Sequence, residues 1–147
     1  MSVIRWGIVG CGNVTEVKSG PGLSNAPGST LTMVMRRDGR LAEDYATRHG
    51  VPRWTADAEA LIADPGVDAV YVATPVFRHR EFAEPALEAG IHVLLEKPMA
   101  DSVADCEAMI ATSRRSGATL MVAYRMHQDA YMVELADLVA RGAIGET

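Results

Sequence analysis

Lys97 is the residue of clearest chemical promise. It stands in Glu96-Lys97-Pro98, directly after the apolar run His92-Val93-Leu94-Leu95. Side chains alternate along a strand, so Glu96 and Lys97 point to opposite sides. Pro98 restricts Lys97 to an extended backbone. An amine held in a partly dry cleft beside a cationic ring has its charged form disfavoured. Such an amine can take a proton from a hydroxyl as hydride leaves the same carbon. Alone, the same lysine reads better as a surface residue at a strand end, so its companions decide.

The first companion is a glycine turn. Val3-Ile4-Arg5-Trp6-Gly7-Ile8-Val9 reads as a buried strand running into Gly10-Cys11-Gly12-Asn13-Val14. Gly10 allows a tight reversal, and Gly12 allows close approach of backbone to a pyrophosphate. The N–H groups that open the next helix, at Asn13 and Val14, would face that anion. The full dinucleotide fingerprint places Gly or Ala where Thr15 stands. On its own, G-x-G-x-x-T fits an ordinary strand-to-helix turn as well.

Three further groups follow strands. The second strand, residues 30–35, ends in Arg36-Arg37-Asp38. An NAD site carries an acid there for the ribose hydroxyl, whereas two guanidinium groups suit a 2′-phosphate. NADP(H) is therefore preferred, with NAD(H) as the second choice. The competing reading is a solvated arginine pair bridging to Asp38. Thr74-Pro75 offers a hydroxyl and a rigid turn to a ribose and nicotinamide, and His79 follows. His79 reads equally as a ligand contact or a helix-start residue. Tyr124-Arg125-Met126-His127 ends the last strand. Arg125 is placed to hold Glu96 or a substrate oxygen. His127 is either a second proton carrier or, as we favour, a helix-start residue.

The elements that must position these groups alternate. The first helix covers residues 14–18 and is broken by Gly20-Pro21-Gly22, with a short second piece reaching Asn25. Leu41, Ala42 and Tyr45 mark a helix stopped by Gly50. Residues 51–54 are extended, and Thr55 caps a helix burying Leu61 and Ile62. Residues 68–74 and 92–95 are buried strands. Between them lies a helix with the stripe Phe82, Ala83, Ala86 and Leu87. Ser102-x-x-Asp105 resembles a capping box for a helix burying Val103, Cys106, Met109 and Ile110. Residues 119–123 form the last strand. A helix from about residue 129 carries Met132, Leu135, Ala136 and Val139. Strand–helix alternation predicts an α/β fold, a doubly wound parallel sheet in one dinucleotide-binding domain over residues 1–147. In such sheets ligands bind beyond the carboxyl ends of the strands, which is where the unusual residues fall.

Composition narrows the class. The chain has 147 residues, 48% hydrophobic and 22% charged, with a net charge of −5. It is long enough to bury a core. No basic surface points to nucleic acid or an anionic membrane. Cys11 and Cys106 have neither disulfide-framework nor metal-ligand spacing, so both are expected as small buried residues. With no bilayer-length apolar run and no signal peptide, the expected location is the cytoplasm.

Together these residues carry a resemblance. The chain is similar to the N-terminal domain of the glucose–fructose oxidoreductase, inositol dehydrogenase and rhizopine-catabolism (Gfo/Idh/MocA) family. The matching pieces are Gly7-Ile8-Val9-Gly10-Cys11-Gly12, Asp68-Ala69-Val70-Tyr71-Val72-Ala73-Thr74-Pro75 with His79, Glu96-Lys97-Pro98, Tyr124-Arg125 and Gly142-Ala143-Ile144-Gly145-Glu146. Glu-Lys-Pro is the most specific. The resemblance implies a Rossmann domain of an NAD(P)-dependent oxidoreductase acting on a sugar, polyol or related secondary alcohol. It implies a catalytic role for Lys97 between nicotinamide and substrate, and a Lys97–Pro98 bond that is often cis. The implied cofactor contacts are Gly10, Gly12, Asn13, Val14, Arg36, Arg37, Thr74, Pro75, His79, Glu96, Lys97 and Arg125. Non-glycine residues are tolerated at position 15. Family members continue into an α+β substrate domain that usually forms the oligomer interface. That domain is expected to be absent here, which leaves the face of the last helix partly uncovered. The alternative function is a non-catalytic NADP(H)-binding module or fragment. A methyltransferase is disfavoured, because it prefers an acid where Arg36 stands and has no use for Glu-Lys-Pro.

Overall fold

The computed structural model describes residues 3–145. Six strands form one sheet: β1 (Ile4–Val9), β2 (Ser29–Met35), β3 (Arg53–Thr55), β4 (Ala69–Val72), β5 (His92–Leu95) and β6 (Leu120–Val122). Their order is β3-β2-β1-β4-β5-β6, and all neighbours are parallel. This is the doubly wound order, with its switch in winding direction between β1 and β4.

Alternation along the strands divides the core. Val9, Met33, Met35, Val70, Val72, Val93 and Leu95 face one side with Leu61, Phe82, Leu87 and Met109. Ile8, Leu31, Val34 and Tyr71 face the other with Leu23, Tyr45 and Ala46. The helices that supply these partners are α1 (Gly20–Asn25), α2 (Gly39–His49), α3 (Ala58–Ile62), α4 (His79–Glu88) and α5 (Val103–Ser116). A last helix, α6 (Ala130–Ala140), buries none of its residues.

Several local expectations are corrected. Gly20-Pro21 does not break the first helix. A π-helical turn (Thr15–Ser19) leads straight into α1, and the Gly20 N–H closes it on the Thr15 carbonyl. Pro21 stands at this junction, in the first turn of α1. Thr55 ends β3, and Asp57 caps α3 by accepting from the Glu59 N–H at 2.9 Å. Ser102 does cap α5, accepting from the Asp105 N–H at 3.1 Å. That helix buries Met109 and Thr112, whereas Val103 is 74% and Ile110 37% exposed. Cys11 is buried, and Cys106 is only half-buried. Glu146 of the closing motif lies outside the described residues.

Candidate functional site

The parallel register sets the site. Met35, Val9, Val72, Leu95 and Val122 pair in one row across five strands. The residues one step beyond are Arg36, Gly10, Ala73, Glu96 and Ala123. Backbone bonds carry the ladder one rung further, from Gly10 N to Met35 O, Ala73 N to Val9 O, Glu96 N to Val72 O and Ala123 N to Leu95 O. The glycine turn, Thr74-Pro75, Glu96-Lys97 and the approach to Arg125 therefore emerge on one sheet edge.

Gly10 has φ +91°, and a Cβ on it would lie 2.8 Å from the Thr74 Cγ2. Only glycine meets both demands. Gly10 and Cys11 both donate to the Met35 carbonyl, at 2.9 and 3.0 Å, which ties the turn to the end of β2. Thr15 explains its own departure from the fingerprint. Its buried hydroxyl accepts from the Gly12 N–H at 2.9 Å and donates to the Gly12 carbonyl at 2.8 Å. The Gly12 N–H is thus occupied. The Asn13 and Val14 N–H groups, in the first turn after Gly12, find no acceptor among the described residues.

The two arginines part company. Arg36 is exposed, and its Nη1 lies 3.9 Å from where a Gly12 Cβ would stand, so it overlooks the glycine turn. Arg37 lines a neighbouring cleft of ≈ 330 Å³ with Met35, Asp57, Arg78 and Phe82. Asp38 bridges to neither, because its carboxylate caps α2 at the Arg40 N–H and pairs with the Arg40 guanidinium. Thr74 Oγ1 is buried without a hydrogen-bond partner, directly behind Gly10. A backbone cradle that a side chain would fill, two open N–H groups, a guanidinium and an orphaned hydroxyl fit a dinucleotide.

His79, expected among the cofactor contacts, is 1% exposed. Its Nδ1 lies 3.2 Å from the Met99 carbonyl and its Nε2 3.0 Å from the Thr74 carbonyl. Its place is behind the cleft, joining the two loops that border it. Lys97 is exposed, and the Lys97–Pro98 bond is cis. Glu96 accepts from the Tyr71 hydroxyl at 2.6 Å and, with its other oxygen, from the Lys97 N–H at 2.9 Å. The structure thus gives the Glu96 carboxylate to Tyr71 rather than Arg125. Arg125 is exposed and opens the 3-10 turn after β6. The side chain of His127 lies outside the described part. Tyr71 and Ser19 escape a sequence reading. The one usable signal is that Tyr71 brings the only side-chain oxygen into an otherwise aliphatic strand.

The family model for the oxidoreductases with an NAD-binding Rossmann fold, Gfo/Idh/MocA, matches residues 4–124. The chain belongs to this family. Oxidoreductase P35 of Formosa agariphila is 41% identical over 98% of this chain and 45% of its own length. The 1,5-anhydro-D-fructose reductase of Ensifer adhaerens is 33% identical over 96% of this chain and 42% of its own. Among solved structures, the 3-ketoreductase KijD10 from Actinomadura kijaniata, in complex with TDP-benzene and NADP, superposes with a TM-score of 0.89. It is 32% identical, and the match covers 99% of this chain and 46% of that one. The chain spans less than half the length of these Gfo/Idh/MocA relatives. Among the described residues, no helix is long and apolar enough to cross a membrane.

Proposed function

We propose that this chain is the NADP(H)-binding part of an oxidoreductase that interconverts a secondary alcohol and a ketone on a sugar or related polyol. The observation that carries this is the single register row that brings the glycine turn, Arg36 and Lys97 to one edge. Relatives named as reductases of sugar substrates support the substrate class. The bound nicotinamide supplies the hydride acceptor or donor.

The chain's own residues do the rest. Asn13 and Val14 present N–H groups to the pyrophosphate. Arg36 reads the 2′-phosphate as a charge-assisted donor. Arg37, in the adjacent cleft, adds positive potential there. Thr74, with its unpartnered hydroxyl, borders the ribose, and Pro75 shapes the loop. His79 holds that loop from behind. Lys97 takes the hydroxyl proton in oxidation and returns it in reduction. Arg125 orients a substrate oxygen.

The test is a titration with NADPH and NADH, followed by nicotinamide fluorescence. NADPH should bind more tightly, and Arg36→Ala should remove the difference, weakening NADPH by about ten- to a hundredfold. Lys97→Met should leave NADPH affinity within about threefold while lowering turnover by roughly 10²–10⁴. Equal affinity for both cofactors in wild type would remove the phosphate-reading role of Arg36. Parallel loss of binding and turnover in Lys97→Met would remove the proton-carrier role.

A further inference from the structure

A line of hydrogen bonds crosses the sheet edge from the helix behind the glycine turn to Lys97. Ser19 is the last residue of the π-helical turn. Its hydroxyl lies 3.0 Å from the Tyr71 oxygen and 3.3 Å from the Val14 carbonyl. Tyr71 stands on β4, the central strand after the switch point, with its side chain fully buried. It has one proton, and the 2.6 Å contact with Glu96 Oε1 takes it. At the Ser19 contact, Tyr71 therefore accepts the one Ser19 proton, and the 3.3 Å approach to the Val14 carbonyl is a contact rather than a second hydrogen bond. The second oxygen of Glu96 accepts from the Lys97 N–H at 2.9 Å. Four residues from three separate segments are thus joined without water.

The placement argues for more than packing. Tyr71 could fill the same space as phenylalanine, with no polar atom to satisfy under the sheet edge. Instead its hydroxyl meets a carboxylate whose other oxygen holds the backbone of the proton-carrying lysine. Burial and the Glu96 carboxylate both push the Tyr71 phenol upward, so it remains a donor throughout the neutral range. The upstream end is equally placed. Ser19 lies one π-helical turn after Val14, whose own N–H is one of the two open donors of the turn.

We propose that Tyr71 is a positioning residue that couples occupation of the glycine turn to the placement of Lys97, through Ser19 on one side and Glu96 on the other. This rests on the reading of the turn as the pyrophosphate site and of Lys97 as the proton carrier. When the first helical turn settles on an anion, Val14 and Ser19 move together, and the shift passes through Tyr71 to the Lys97 N–H.

The experiment follows the Lys97 amide by ¹H–¹⁵N correlation spectroscopy in the chain, its Tyr71→Phe variant and its Ser19→Ala variant. The probes are NADPH and 2′-phospho-ADP-ribose, which carries both phosphate groups but no nicotinamide. In wild type the nicotinamide-free probe should shift the Lys97 amide, although it has no group to reach that residue. In Tyr71→Phe the resting Lys97 amide should move upfield, since its carboxylate acceptor is no longer oriented. The probe-induced shift should vanish there, with affinity weakened only about two- to tenfold. Ser19→Ala should keep the resting position and lose the induced shift, which also carries the test if Tyr71→Phe misfolds. Binding of the probe with no response at Lys97, or an undiminished response in both variants, overturns the coupling. Failure of NADPH itself to bind overturns the functional reading beneath it.

Discussion

A threonine hydroxyl does at position 15 what a small residue does elsewhere: it lets the helix start close against the turn. It closes a ring with both backbone groups of Gly12, so the turn is rigid before any ligand arrives. The price is one N–H, leaving two open donors rather than three. The glycines on either side of Cys11 then have separable duties. Gly10 needs its positive φ and the room beside Thr74. Gly10→Ala should lower stability by about 1–3 kcal/mol, read from urea unfolding. A Cβ at Gly12 meets only Arg36 Nη1, at an ordinary 3.9 Å. Gly12→Ala should therefore keep stability within about 0.5 kcal/mol while NADPH affinity drops, because the methyl group stands where the pyrophosphate approaches. Equal destabilisation by both variants would mean that Gly12 serves the fold rather than the ligand. Cys11, between them, is inert: burial pushes its thiol up to about 11.

At the scale of elements, the segment behind the turn is clamped to α2. Glu16 accepts from Arg48 with both oxygens, at 2.7 and 2.8 Å, and contacts His49 Nε2 at 2.7 Å. The Tyr45 hydroxyl donates to the Thr15 carbonyl at 2.9 Å. Hydrogen bonds from Arg48 and then His49 hold the Glu16 carboxyl at about 2, below its ordinary 4.5. A lowered folded-state pKa stabilises the fold above the ordinary value, and the gain is lost as pH falls through the lowered one. Asp68, held down to about 2 chiefly by Arg5, titrates in the same window. Stability should therefore fall as pH drops from about 4.5 to about 2, and Glu16→Gln should flatten part of that slope. Solvent around the pair limits its share to about 0.5–1 kcal/mol. Urea midpoints across the acid range measure it, and an unchanged slope in Glu16→Gln would discount the clamp. This clamp was invisible in the sequence because its partners are some thirty positions apart and meet only through the parallel crossover. What was legible had local causes. The expected strand over residues 92–95 is β5, and Gly50 ends α2 with φ +64°. Asp57 rather than Thr55 caps α3, because its carboxylate, two residues on, is the stronger acceptor at the helix start. Val103 and Ile110 stay exposed because α5 buries a narrow stripe around Met109 and Thr112, which includes a polar residue paired with Glu84.

For the whole molecule, the two sheet faces are unequally covered. The face bearing α3, α4 and α5 is sealed from β1 to β5. On the other face, α1 and α2 cover the half near β1 and β2, while Leu94 and Ala123 are half-buried and Met121 is 46% exposed. The helix that follows β6 does not close this gap. α6 packs mainly against the 3-10 turn before it, and Tyr131, Met132, Val133, Leu135 and Val139 are all exposed. Its support is local: Asp129 caps it at the Tyr131 N–H, and Arg141 pairs with Asp137 and Glu134. Such terms are worth a few tenths to about 1 kcal/mol each, and an isolated helix of this length is marginal in water. In the monomeric chain, α6 amides should therefore exchange with protection of no more than about 1–2 kcal/mol, whereas β1 and β4 amides exchange only through global unfolding. Hydrogen exchange at several chain concentrations measures this directly. Protection of α6 equal to that of β4 at the lowest concentration would show that the helix draws on packing within the chain itself. Protection that rises with concentration would show its apolar face being covered by a second copy.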